Sequence, residues 1–157
     1  MTRDRRFIRT KRGGELSDRE HRLLMIWACK CSEHVFTLAG NNPDPRLLKA
    51  LETGVAWASG SATTGDAMKA SVKIHSAARA CANPVEIALY RSAGHAVATA
   101  HMADHSIGAA LYALKAIYLS GASIDEEKNW QFKQIPDAIH GMVEDLFAEK
   151  VKHFKFQ

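Results

Sequence analysis

The residues best equipped for chemistry sit in His101-Met102-Ala103-Asp104-His105. Two imidazoles four residues apart lie on one face of a continuous helix and can share a metal ion. A zinc-protease helix also needs a glutamate directly after the first histidine as general base, and Met102 stands there. If the helix breaks near Met102, the shared face is lost as well. His101 and His105 then read as donors to backbone carbonyls or to Asp104 at a crowded helix junction. His95, six residues before His101, lies about 240° round a continuous helix. It should serve a different neighbour, half-buried and with its ring hydrogen-bonded. Neither a metal nor a cofactor is expected.

Other patterns are weaker. Asp18-x-x-His21 and Asp137-x-x-His140 have the acidic-x-x-His spacing of di-iron bundles, but those proteins use glutamate. Cys29-Lys30-Cys31 is not a C-x-x-C, and its two thiols point about 200° apart on a helix. Three cysteines in a chain of 157 residues read as reduced packing thiols and a cytoplasmic home. There is no G-x-S-x-G elbow, no phosphate-binding loop and no G-x-G-x-x-G. The residues alone nominate no active site.

The elements that must position these side chains are all helical. Ser17-Asp18-Arg19-Glu20 fits a capping box, and Leu23, Ile26, Trp27, Cys31, Val35 and Leu38 recur after it near helical spacing. Asp44-Pro45 opens a second helix as N-cap and first-turn proline, with Leu47, Leu48, Leu51, Val55 and Ala58 as its stripe and Gly60 beyond its end. A third helix is expected from Asp66 to Ala82, with Met68, Val72, His75 and Cys81 inward. Ser59–Ser61 and Thr63–Gly65 read as the loop before it.

Asn83-Pro84 starts a fourth helix. From there to Ser120 no proline intervenes, and one straight helix would run about 55 Å, too long for a domain about 40 Å across. A break is therefore placed at Met102–Asp104, with Asp104 capping the next helix. Ser123-Ile124-Asp125-Glu126 is a second capping box, Ile135-Pro136 a boundary, and Ile139, Met142, Val143, Leu146 and Phe147 mark the last helix. Ala93–Ala116 holds nine alanines and two glycines and reads as the central layer, where small residues let helices approach closely. Gly94 and Gly108 should lie where another helix backbone passes. The fold class is all-α, a single compact bundle of six or seven helices.

Hydrophobic residues at 46% and charged ones at 24% are ordinary globular values and argue against disorder. No apolar run approaches the roughly 20 residues a membrane span needs. Residues 1–14 carry six Lys/Arg against Asp4, net +5, while the remainder is net −1. The division expected is a flexible basic tail, 1–14, and one helical domain, 15–157. A basic arm, or the basic and aromatic end from Lys150 to Phe156, can touch nucleic acid.

Three stretches in order carry a resemblance. They are Asp44-Pro45-Arg46 running to Ala56-Trp57-Ala58-Ser59-Gly60, Ala93–Ala116, and Glu127 through Trp130-Gln131 to Ile135-Pro136. Together they resemble the Imm-5-like family of bacterial immunity proteins, linked to polymorphic toxin systems, over Ser17 to Val151. The resemblance implies a small all-α cytoplasmic protein that binds a cognate toxin, and it supplies no catalytic residues. The extension before Ser17 lies outside it. Outside the arm the chain is not strongly acidic, unlike an inhibitor that mimics nucleic acid.

The function expected is therefore non-catalytic neutralisation of a cognate toxin by direct binding, with no membrane or nucleic-acid partner and with self-association left open. The side chains set aside for partner contact are Arg46, Arg79, Arg91, His101, Asp104 and His105. The alternatives are a nucleic-acid-associated helical protein using its basic tails, or a metal- or histidine-dependent enzyme centred on His101 and His105.

Overall fold

Helix starts are written locally, because the first amides of a helix need acceptors that a side chain three residues back can supply. The computed structural model describes residues 2–157, and among these the expected starts appear. α1 is Asp18–His34, with both halves of the Ser17–Glu20 capping box formed. α2 is Pro45–Ala58, capped by Asp44. α3 is Thr64–Ala80, two residues earlier than expected at its start, because Thr63 and Asp66 form a capping box with Asp in place of Glu. α4 is Pro84–Ala98, capped by Asn83. α5 is His105–Leu119, α6 Ile124–Lys133 and α7 His140–Val151. Short 3-10 turns at Arg5–Phe7, Thr10–Arg12, Phe36–Ala39 and Asp137–Ile139 complete an all-α fold of seven α-helices among the described residues.

The antiparallel α4–α5 pair forms the middle of the bundle. Small residues hold it close, with Ser92 Oγ donating to the Ala109 carbonyl at 2.8 Å and Ser71 Oγ of α3 to the Gly94 carbonyl at 3.0 Å. Ala93, Ala96, Ala109, Ala113 and Ala116 pack with α1–α3 on one side. Ile107, Ala110, Leu111 and Leu114 pack with Trp27, Ile139, Val143 and Phe147 on the other. α6 is tied across by polar bonds: Trp27 Nε1 donates to the Gln131 carbonyl at 2.9 Å, and Gln131 Nε2 to the Ala110 carbonyl at 3.0 Å.

Several inward assignments are corrected. Met68 and Val72 of α3 are exposed, while Ala67, Ala70, Ser71 and Ile74 face the core. Leu48, Val55 and Ile26 are also exposed. The periodicity of bulky residues misplaces the buried face because α3 and α4 meet through small side chains.

Part of the arm expected to be a flexible tail packs against the bundle. Phe7 is 1% exposed and packs with Leu16, Leu24 and Trp27 in the core. The arm folds back through Leu16 N–H to the Ile8 carbonyl and Glu15 N–H to the Arg5 carbonyl, both 2.9 Å. The turn relies on Gly13 at φ 85° and on Gly14, where any Cβ would collide with the Ile8 carbonyl. An aromatic anchor compensates for the charge the arm carries, a feature that counting lysines and arginines does not register. Phe7→Ala should cost about 3–5 kcal/mol. A melting temperature lowered by many degrees would confirm the anchor, and an unchanged one would show that the arm is dispensable.

Candidate functional site

The break between α4 and α5 exposes the last carbonyls of α4 inside the bundle, and such groups need donors. Residues 99–104 coil through short-range bonds, among them His101 N–H to the Ala98 carbonyl at 3.1 Å and His105 N–H to the Met102 carbonyl at 3.0 Å. The break is wider than the expected Met102–Asp104. His21 of α1 donates from Nε2 to the Thr99 carbonyl at 2.5 Å, and Arg9 of the arm donates to the Ala100 carbonyl at 2.6 Å. Arg9 also donates to His21 Nδ1 at 3.2 Å, so the His21 ring is neutral and carries its hydrogen on Nε2. Burial lowers the His21 pKa in the same direction. Trp57 meets this ring edge-on at 4.8 Å.

Asp104 does not cap α5. Its backbone is already helical, at φ −58° and ψ −25°, and its side chain makes no cap bond. A capping side chain instead needs an extended backbone at that position. The Asp104 carboxylate, in a residue only 8% exposed, receives both Nη2 and Nε of Arg3, at 2.5 and 3.2 Å. A buried carboxylate requires such a partner, and here the arm provides it.

Behind the junction four histidines form a row: His75 of α3, His95 of α4, His105 of α5 and His101 of the break itself. Arg91 Nη1 donates to His75 Nδ1 at 2.7 Å. The His75 and His95 rings meet edge to face at 5.5 Å. His95 and His105 face each other Nδ1 to Nδ1 at 3.0 Å, one donating and the other accepting, and His101 lies 5.3 Å from His105. His95 and His101 therefore do serve different neighbours, but the neighbour of His95 is His105. The antiparallel turn folds residue 105 back onto 95, a juxtaposition that spacing along one helix does not reveal. The glycines explain the room. A Cβ on Gly94 would stand 2.5 Å from His75 Cε1, and one on Gly108 2.7 Å from His95 Nδ1. Gly94 and Gly108 accommodate imidazole rings, not a passing backbone as expected.

Burial is the main cause that pushes His95 down to about 3 and His75 and His105 down to about 4, with neighbouring cationic groups adding to it. His101, more exposed, is lowered by burial alone. General-base catalysis at neutral pH works best with a pKa near the working pH, and these rings are poorly matched to it. Among the described residues no group of three or more His, Cys, Asp or Glu is placed to hold a metal. The thiols are likewise suppressed, Cys29 up to about 12 and Cys31 well above its ordinary value, through burial.

The six side chains set aside for a partner do not form one patch. Arg91, His105 and His101 belong to the row, and Arg79 in the last turn of α3 is near enough to lower the His75 pKa. Asp104 is held by Arg3. Arg46 lies apart at the start of α2, bound back to its own cap, Asp44, at 2.8 Å. What periodicity missed is the exposed apolar set on α1 and α2, whose residues it had assigned inward. The resembling segment Glu127–Gln131 proves to be a docking clasp. Glu127 pairs with His34 at 2.6 Å, and Trp130 stacks on the same ring with centroids 3.4 Å apart.

The chain is an all-helical bundle in which burial lowers the pKa of His21, His75, His95, His101 and His105 and raises that of Cys29 and Cys31. A model of the family described as Imm-5 like putative immunity protein matches residues 14–138, more than half of the chain. The chain belongs to that family. The match begins just before α1 and ends within the turn preceding α7. No curated protein and no solved structure matches the chain. No helix among the described residues is long and apolar enough to cross a membrane.

Two outcomes follow from the row. Its rings have folded pKa values below the value of about 6.5 for a free imidazole, so the unfolded chain takes up protons first as pH falls. Their contribution is fully present above about pH 6.5 and drains away toward pH 4 and below. Denaturation curves at pH 7.5 and 4.5 should show a smaller acid-induced loss in His95→Gln than in the parent; an equal loss would place the sensitivity elsewhere. Separately, Gly108→Ala should lower the melting temperature although alanine is the better helix former by about 1 kcal/mol. The reason is that His95, boxed in by His75, His105 and Tyr112, has nowhere to retreat. A rise in melting temperature would contradict this packing.

Proposed function

We propose that the protein neutralises a cognate bacterial toxin in the cytoplasm of its producer by binding it directly, without catalysis. The observation that carries this reading is membership of the immunity-protein family over residues 14–138. The chemistry agrees with it. The best-placed imidazoles are neutral and weakly basic, and each carboxylate near them has a structural partner or lies outside the row. Of the side chains set aside for partner contact, Arg79 and His101 remain the candidates, being exposed and not drawn into an ion pair. Against the nucleic-acid alternative, three of the arm's six cations are already engaged: Arg3 with Asp104, Arg6 with Asp4 and Asp145, and Arg9 with His21 and the Ala100 carbonyl.

The test is co-expression with candidate toxins encoded beside its gene. The protein and one such toxin should co-purify as a stable complex, and cells expressing that toxin should survive. His101→Ala, with its fold verified, should change protection only as far as it changes toxin affinity, since no proton transfer is involved. Loss of protection in that variant with toxin binding intact would favour an enzyme, and failure of the folded parent to bind an active toxin would refute the reading.

A further inference from the structure

Among the described residues an apolar groove is left unfilled. It runs between the C-terminal half of α1 and the outer face of α2, with a volume of about 710 Å³, lined by Phe36, Leu48 and Val55 together with Glu33 and Glu52. Leu48 and Val55 are each 51% exposed. They stand seven residues apart, two turns on one face of α2, and solvation of such side chains is unfavourable unless something covers them. Past Glu33 and Val55 the groove continues into a second depression of about 570 Å³ that ends on Ile26 and Trp130. The Leu48–Val55 face alone is about 10 Å long at 1.5 Å per residue, and the continuation makes the whole long enough for a short docked helix.

Its charge identifies the occupant. The stretch along Leu48 and Val55 is lined by two carboxylates and by no lysine or arginine, and the continuation adds a single cation, Lys30. Among the described residues neither Glu33 nor Glu52 has an ion-pair partner. Outside the arm the chain is net −1, and a second copy docked face to face would bring its own Glu33 and Glu52 to the contact, a poorer electrostatic match than a basic segment. We infer that the α1–α2 groove receives a basic amphipathic helix of the partner toxin. Apolar anchors at i, i+3 or i+4, and i+7 would contact Leu48 and Val55, and lysine or arginine flanks would pair with Glu33 and Glu52. The groove lies wholly within the stretch matched by the family, 14–138. This inference rests on the immunity reading and adds the surface and the chemistry of the partner.

The experiment measures affinity for the toxin so identified by calorimetry, using the full chain and two double variants whose melting curves match the parent. Leu48→Asp with Val55→Asp should weaken binding at least about 100-fold, as loss of central apolar anchors does. Glu33→Lys with Glu52→Lys should weaken it about tenfold and reverse the salt dependence. Parent-like affinity in both variants would overturn the groove while leaving immunity standing, whereas absence of binding by the parent would remove both. Light scattering is run in parallel. A dimer that Leu48→Asp with Val55→Asp converts to monomer, with toxin affinity unchanged, would assign the groove to a second copy and overturn the inference.

Discussion

Two backbone carbonyls decide much of this structure. Where α4 stops, Thr99 and Ala100 present acceptors to the interior, and an unpaired buried acceptor costs about 1–3 kcal/mol. His21 and Arg9 satisfy them with bonds of 2.5 and 2.6 Å. That requirement holds α1 against the end of α4, draws the arm in from the surface, and selects the neutral, Nε2-protonated form of His21. Arg3 meets the parallel need of Asp104 one turn further on. The arm is therefore built into the junction, with Phe7 as its apolar anchor and arginines as its donors.

The close α4–α5 pair has a second consequence. Glycine and alanine bring the helices together, and the space left by Gly94 and Gly108 is taken by imidazole rings rather than by aliphatic side chains. Enclosure holds His75, His95 and His105 uncharged at neutral pH chiefly through burial, with neighbouring charges adding to it. The same packing that gives the layer its tightness removes these groups from acid–base chemistry at neutral pH.

On the proposed reading, affinity comes from surface left uncovered by folding. The outer faces of α1 and α2 fit that description: they keep apolar side chains in water beside carboxylates that no internal cation neutralises. The clasp of Glu127 and Trp130 on His34 holds α6 at the far end of this face, giving the groove a rigid wall.

What the sequence by itself determined was the helical class, the family and the points where helices begin. Ser17, Asp44-Pro45, Asn83-Pro84 and Ser123 act through bonds spanning two to four residues, so their meaning travels with the local sequence. Asp104 shows the limit of that logic: the same residue type at a helix start serves Arg3, 101 positions away in the chain. Tertiary structure alone decided which faces are buried, because close approach favours Ala67, Ala70 and Ser71 over Met68 and Val72. It alone docked the arm, and it alone brought His95 against His105. These outcomes depend on which surfaces meet, and no spacing along one helix encodes the helix that lies beside it.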